Sequence, residues 1–497
     1  MGRALRWYDT ITISIYFLGL TTLSQTMTPL VIPLLVQQFV GQDRQGTFYG
    51  NVRLWSLMVA LLVQALMGML SDRSTLPWGR RRPFIFIGTI ANLVIITAIG
   101  FTAGLEGMTG YWILFFLLLM MMVASNTAQG AVQGLIPDLV PEHLRGRYSG
   151  VKAILEVPIP VILVSFSVGR LIAAGNMWAG LFVAMSVLTF AMLITMFAPE
   201  KPLGTQPPPF DWKPLGRLGL MTALFTVIIL GMGAAINLFG RLLGDFLSTT
   251  NMLILMGLAG LVAMALTIAL GVWGSIRLSI GDEAHKNPAF TWWVVNRLAF
   301  LVGSTNLASF AVFFLQGRLG LEKEQAAGPA SQLLMFVGIF ILLLALPSGW
   351  LTDRFGRKPL IGISGLVAAA GTLILILAPD LTMMFVGGIL VGSATGLFYT
   401  ANWALGTDLV PKKEAGRYLG IANLAGAGAG AVGAYIGGPI ADFFTVHVPQ
   451  SPGLGYVLLF SIYGTLFLFS VIALGRVTEK VTGAEAHLST GQQATEP

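Results

Sequence analysis

Cysteine is absent from the 497 residues, which excludes disulfides, thiolate nucleophiles and cysteine metal sites. Histidine is nearly absent. His143, His285, His447 and His487 fall in expected loops or the tail, so no imidazole pair is placed to hold a metal inside an apolar segment. Charge is scarce as well: 29 Lys/Arg and 22 Asp/Glu make up 10% of the chain, against roughly 25% in an ordinary soluble domain. With 55% hydrophobic residues and a mean hydropathy of +0.79, the chain carries more apolar surface than a soluble core of this length can take in. It is an integral membrane protein. The net charge of +7 and pI near 9.7 would suggest nucleic acid as a partner in a soluble protein. Here the cations sit in short loops between apolar runs, where they set orientation and do not point to nucleic acid. Met1-Gly2-Arg3-Ala4-Leu5-Arg6 leads into a long helix without a short apolar core and cleavage site, so no removable signal peptide is expected.

Apolar runs near the ~20 residues that cross a bilayer predict fourteen spans. They are 10–38, 48–71, 83–104, 111–136, 149–171, 177–197, 218–240, 251–275, 289–316, 329–351, 358–378, 382–408, 417–440 and 454–475. The runs are too long and continuous for barrel strands, and only helices satisfy the backbone in hydrocarbon otherwise. The expected fold is all-α. Twenty-two of the 29 Lys/Arg residues fall on the side of the N-terminus, six on the other side, and Arg297 lies within a span. That asymmetry predicts a multi-pass plasma-membrane protein with both termini in the cytoplasm.

An internal repeat divides the chain. Gly68-Met-Leu-Ser-Asp72-Arg73 followed by Gly79-Arg80-Arg81-Arg82-Pro83 returns as Gly349-Trp-Leu-Thr-Asp353-Arg354 followed by Gly356-Arg357-Lys358-Pro359. Asp138-Leu-Val-Pro141 with Gly146-Arg147-Tyr148 returns as Asp408-Leu-Val-Pro411 with Gly416-Arg417-Tyr418. The copies stand 281 and 270 residues apart, at positions 72 and 353 and positions 138 and 408. A six-span half takes up only about 190 residues, so the excess fits two additional helices. The expected organisation is a six-helix bundle at 1–197, a linker with an inserted helical hairpin at 198–288, a second six-helix bundle at 289–476 and a cytoplasmic tail at 477–497. The Pro-rich run from Pro199 to Pro209 closes the first bundle, because it cannot continue a helix.

These two halves, each with the Gly-x-x-x-Asp-Arg loop after its second helix, resemble the major facilitator superfamily. Within it, two stretches are similar to the sucrose/glycoside:cation symporters, meaning plant-type sucrose carriers and glycoside–pentoside–hexuronide relatives. One runs from Leu62-Val63-Gln64 through Asp72-Arg73 to Gly79-Arg80-Arg81-Arg82-Pro83-Phe84-Ile85. The other is Ala124-Ser-Asn126-Thr127-Ala-Gln129-Gly130, leading to Asp138-Leu139. The resemblance implies a secondary transporter working by alternating access on a sugar or glycoside, with a proton or other cation as partner. It implies no cofactor and no enzymatic activity. Two features depart from it. Met122 stands where the plant-type carriers have an Asp taken as the proton site, and span 48–71 lacks the acids that the bacterial relatives use for cations. The inserted hairpin instead resembles the fourteen-span layout of some drug/proton antiporters and of peptide/proton symporters. A drug or amphipath antiporter, and a non-transporting assembly protein on the same scaffold, are the alternative readings.

The motifs suggest a latch. Asp72 should meet the start of span 417–440 near Arg417, and Asp353 the start of span 149–171 near Arg147. An acid facing a helix N-terminus and an Arg gains ~1–2 kcal/mol. Gly68 and Gly349 would allow the close approach, with Arg73 and Arg354 beside the acids. The contact belongs to the outward-facing state. Polar residues inside spans are the substrate candidates: Thr21, Gln25 and Thr28 in the first helix, and Asn126, Gln129 and Gln133 on one face of the fourth. Asn306 and Ser309 in span 289–316, and Thr395, Tyr399, Asn402 and Trp403 in span 382–408, complete the set. Amides and hydroxyls pair with sugar hydroxyls while rings stack on the CH face; helix–helix hydrogen bonding is the alternative use. Glu156 is the single acid expected deep in a span, either a proton-coupling carboxylate or the partner of Lys152 beside Pro158 and Pro160. Arg53 and Arg297, inside their spans, either snorkel to the interface or clamp an anion. The run Gly426-Ala-Gly428-Ala-Gly430-Ala-Val-Gly433 reads as close helix packing.

Overall fold

The computed structural model describes residues 5–200, 202, 209–243, 248–281, 287–410, 415–451 and 453–477, without the side chains of 415–417 and 419. The described residues form helices and no strand. The first six membrane helices are α1 (Asp9–Val40), α2 (Gln45–Asp72), α3 (Arg82–Thr102), α4 (Gly107–Leu139), α5 (Glu142–Ala173) and α6 (Met177–Thr195). The hairpin is α7 (Lys213–Leu243) and α8 (Thr249–Ser279). The second set begins with α9, which runs Pro288–Ser309 and continues after a 61° bend as Ala311–Leu319. It goes on through α10 (Ala327–Phe355), α11 (Arg357–Leu377), α12 (Leu381–Leu409), α13 (Ala415–His447) and α14 (Leu454–Gly475). Thirteen spans and one sharply bent pair, among the described residues, make up the fourteen expected crossings.

Local chemistry explains the boundaries. Asn287 caps the start of α9 by accepting from the Phe290 amide, with Pro288 in the first turn, where its missing N–H costs nothing. Asp380 caps α12, accepting from the Met383 amide at 2.9 Å. Gly356 alone turns the chain from α10 into α11, and its φ of +85° is open to glycine at little cost. Pro29 in α1 is absorbed by a π-type turn at Met27–Val31, and Pro158 bends α5 at Val157. α13 differs most from expectation: it runs seven residues past the expected end at 440, so Asp442 belongs to a helix and not to a loop.

α1–α6 pack as one bundle and α9–α14 as another, joined along α2 with α13 and along α5 with α10. The α2–α13 contact is backbone on backbone. A Cβ on Gly46 would lie 2.7 Å from the Gly438 carbonyl oxygen, and Gly50 lies as tightly on Ala434. The glycines of α13 serve several neighbours at once. Gly428 receives the Phe225 ring of α7, Gly433 faces Asn306 of α9, and Gly437 faces Leu459 and Tyr463 of α14. The hairpin lies outside the second bundle, α7 and α8 packing on each other and on α13.

Gly438→Ala places a methyl group against Gly46 with no flexible side chain to yield, so it should cost about 1–3 kcal/mol. Gly426→Ala enters open space and should be neutral or gain up to ~1 kcal/mol from helix propensity. Thermal unfolding of the two detergent-solubilised variants would read the difference.

Candidate functional site

Between the bundles lies a cavity of about 1510 Å³, walled by α1, α2, α4, α5, the start of α7 and α13. Its mouth is at the basic end of the molecule, where Asp72 ends α2, Ser279 ends α8 and Lys213 and Arg217 begin α7. Thr28, Asn126, Gln129 and Gln133 line it, as do Glu156, Gly68 and Asp72. So do Thr21, Ser24, Ser56, Gln64, Ser125 and Asn423, of which only Thr21 stands among the sequence candidates. Gln25 is not in the wall: the face of α1 turned inward is Thr21, Ser24 and Thr28.

The candidates of the second half are placed differently. Asn306 is buried and donates to the Val302 carbonyl at 2.8 Å and to Ala429 of α13 at 3.1 Å. Asn402 is buried in a chain of contacts: its amide donates to Asn296 at 2.9 Å and its oxygen accepts from Arg297 at 2.9 Å. Asn402 spends its amide between helices, whereas Asn306 divides its N–H groups between its own helix and α13 and keeps a buried Oδ1 without a partner. Tyr399 and Trp403 are exposed on α12 outside the cavity wall, and the Arg297 guanidinium stands 5.3 Å over the Trp403 ring. Among the described residues of the second bundle, only those of α13 reach the cavity, through Gly420, Asn423 and Ala427.

Two carboxylates need separate treatment. Glu156 faces the cavity, half-exposed, with Lys152 at 3.3 Å, and that ammonium also lies 4.3 Å over the Phe17 ring. It is not the single acid inside a span. Asp442 is buried in α13, and its carboxylate accepts the Gly46 amide at 2.8 Å and the Thr47 amide at 2.7 Å, from the first turn of α2. It caps a helix of the opposite bundle, so the helix dipole and the charge act together. Sequence reading missed it because the span was ended two residues too early.

Asp442 sits in the closure opposite the mouth. There Gln37 and Gln316 exchange amide hydrogen bonds at 3.1 Å, Gln45 donates to the Tyr456 hydroxyl at 3.0 Å, and Lys323 donates to Gln38 at 3.2 Å. Tyr49 packs edge-on against Phe310 and Phe313, and Gly169 of α5 lies on Ser331 of α10. Half burial lowers the affinity of the Lys323 ammonium for its proton.

At the basic end, no ion pair joins the halves among the described residues. The motif charges turn inward on their own bundle: Arg81 pairs with Asp72 and with Asp138 at 2.9 Å, Arg80 pairs with Asp138, and Arg357 pairs with Asp408. Arg81 and Arg357 occupy matching places in the repeat, so each half ties its second loop to the end of its fourth helix. Glu200 accepts the Arg81 and Arg82 amides at 2.6 and 3.0 Å; burial raises its pKa, while these bonds oppose the shift. Asp353, Arg354 and Arg147 are exposed, and the Arg417 side chain lies outside the described residues. The expected close approach at Gly349 is not made here, since open space faces it, while at Gly68 the close neighbour is Gly130 of α4, where a Cβ would lie 2.9 Å from the Gly68 nitrogen. Arg73 lies 4.8 Å over the Phe210 ring, which fastens the linker across the end of α2.

Two helical bundles around a polar cavity closed at one end are the build of a membrane carrier. A profile described as Major Facilitator Superfamily matches residues 11–320 and 293–494, and the chain belongs to that family of transporters. It is 30% identical over 187 residues to sucrose transport protein SUC3 of Arabidopsis thaliana, covering 30% of this chain and 31% of that protein. It is 38% identical over 88 residues to the minor myo-inositol transporter IolF of Bacillus subtilis (strain 168), covering 18% and 20%. The matches thus span less than a third of these relatives' lengths. The crystal structure of a D-xylose–proton symporter superposes with a TM-score of 0.65 at 16% identity, covering 96% of this chain and 99% of that one, a likeness of fold.

Removing the Asp442 carboxylate leaves two amides of α2 uncapped, a loss of ~1.5–3 kcal/mol for bonds to a charged group. Asp442→Ala should therefore open the far closure about tenfold or more often. The absence of native cysteine makes Gln316→Cys the sole thiol, so the labelling rate by a membrane-impermeant maleimide in that background, with and without Asp442→Ala, measures the change directly. Equal rates would count against the latch.

Proposed function

We propose that this protein is a secondary carrier that moves a sugar or glycoside together with a proton by alternating access. The units 1–197 and 289–476 rock against each other, and 198–288 rides on the second. The tail at 477–497 and the N-terminus are assigned to the cytoplasm, an orientation that the excess of loop cations on that side supports. The plasma membrane is the proposed site, and the arrangement described is then the inward-open form. The observation that carries this reading is the cavity itself. Thr21, Thr28, Asn126, Gln129 and Gln133 offer hydroxyls and amides between membrane-spanning helices, where a cargo's hydration water must be replaced. The sugar-carrying relatives support the substrate class.

The basic-end latch belongs to the other state. With the mouth open, Asp72 and Asp353 are separated from the opposite halves, and they would meet them when the mouth closes. Glu156 is the proposed coupling group, because it faces the cavity and its ion pair with Lys152 at 3.3 Å is a contact that an arriving proton could replace.

Uptake into proteoliposomes tests this. Labelled disaccharide or hexose should accumulate when the outside is made acidic and should not when the gradient is collapsed. Glu156→Gln should keep downhill exchange while the pH dependence flattens; a profile as steep as that of the native protein would remove Glu156 from the coupling role. Efflux of amphipathic dye with no sugar flux would favour the antiporter instead.

A further inference from the structure

Arg53 stands on α2 one turn past Gly50, the last of the glycines pressed on α13, so its guanidinium lies at the blind end of the cavity directly beneath the closure. Gly430 of α13 faces it: a Cβ there would lie 3.3 Å from Nη2, so a larger residue would crowd the guanidinium. Among the described residues Arg53 makes no ion pair or hydrogen bond, and its Nε is buried without a partner. The other charges of the wall are elsewhere. Asp72, Asp211, Lys213 and Arg217 are at the mouth, and Glu156 is held by Lys152. The nearest phenol, Tyr49, spends its hydroxyl on the Thr28 carbonyl at 3.0 Å. The blind end therefore holds a cation, the hydroxyls of Thr28 and Ser56, and no acid.

Snorkelling does not explain this side chain. The interface it would reach for lies past Gly50 and Gly46, where α2 and α13 touch backbone to backbone and leave no channel. In the open cavity, water solvates the guanidinium. When the mouth closes over cargo that water is expelled, and an isolated guanidinium in a low dielectric is strongly disfavoured. A carboxylate or phosphate on the cargo removes the penalty, and its oxygens match the fork of the guanidinium two at a time. A neutral solute of the same shape leaves the cation stranded.

We infer that Arg53 is an anion subsite and that the cargo is a polyhydroxylated solute bearing a carboxylate or phosphate, without which the cavity closes poorly. This rests on the sugar reading of the same cavity, but the charge requirement can be tested apart from it. The full-length protein in detergent is titrated with matched pairs, following thermal unfolding: glucose against glucuronate, glucose against glucose 6-phosphate, and propane-1,2-diol against lactate. The acidic sugar should stabilise the native protein at tenfold or more lower concentration than its neutral twin, and the arm that does so separates carboxylate from phosphate. Arg53→Gln should abolish that preference while leaving the neutral-sugar response, and Arg53→Lys should keep part of it and report on folding. Equal responses to neutral and acidic sugars in the native protein, or a preference that survives Arg53→Gln, overturn the subsite and leave the sugar reading standing. An Arg53-dependent preference confined to lactate keeps the subsite and removes the sugar. Silence from every probe overturns both.

Discussion

Two helices from different bundles can touch backbone to backbone only where neither presents a side chain, and α2 and α13 do so at Gly46, Gly50, Ala434 and Gly438. Most other features of this protein depend on that contact. It seals one end of the cavity and brings the first turn of α2 within reach of the Asp442 carboxylate, across the boundary between the halves. It also sets Arg53 at the bottom of the open space. This part of the seal, made of backbone atoms and two hydrogen bonds from α2 amides to Asp442, is short-ranged. Displacement by an ångström or two loses nearly all of it, which suits an element that must be either shut or open.

The repeat is expressed as symmetry in some places and abandoned in others. Arg81 with Asp138 and Arg357 with Asp408 are matching pairs that hold the second loop of each half to its fourth helix. The cavity wall is unequal. The first bundle supplies α1, α2, α4 and α5, whereas the second supplies α13 alone, because Asn306, Asn402, Asn296 and Arg297 are committed to one another and to backbone within their own bundle. A polar residue in hydrocarbon satisfies itself with whatever lies nearest. In the second half that is a neighbouring helix, and in the first half it is the open cavity.

That distinction marks how far sequence reading could go. The fourteen crossings, the two bundles and the inserted hairpin follow from run length, loop charge and the recurring Asp-Arg motif, each a signal carried by many residues. Which face of a helix turns inward depends on a few degrees of rotation. In α1 that small difference puts Ser24 in the wall and leaves Gln25 out of it. Asp442 was hidden for another reason. Its helix is built of glycine and alanine and remains weakly apolar to the end, so the run gave no sign that it continued to His447.

The hairpin is keyed into the second bundle by Phe225, seated between Gly271 of α8 and Gly428 of α13. It is thereby held mainly on that bundle and presents Leu220, Val227, Leu258 and Trp273 to the surrounding acyl chains. In the proposed rocking cycle, each swing of the halves would sweep two extra helices through the lipid. Viscous drag from the bilayer would then become part of the barrier between states and would tie the turnover rate of that cycle to membrane fluidity, growth temperature and fatty-acid composition more tightly than in a twelve-helix carrier of the same design.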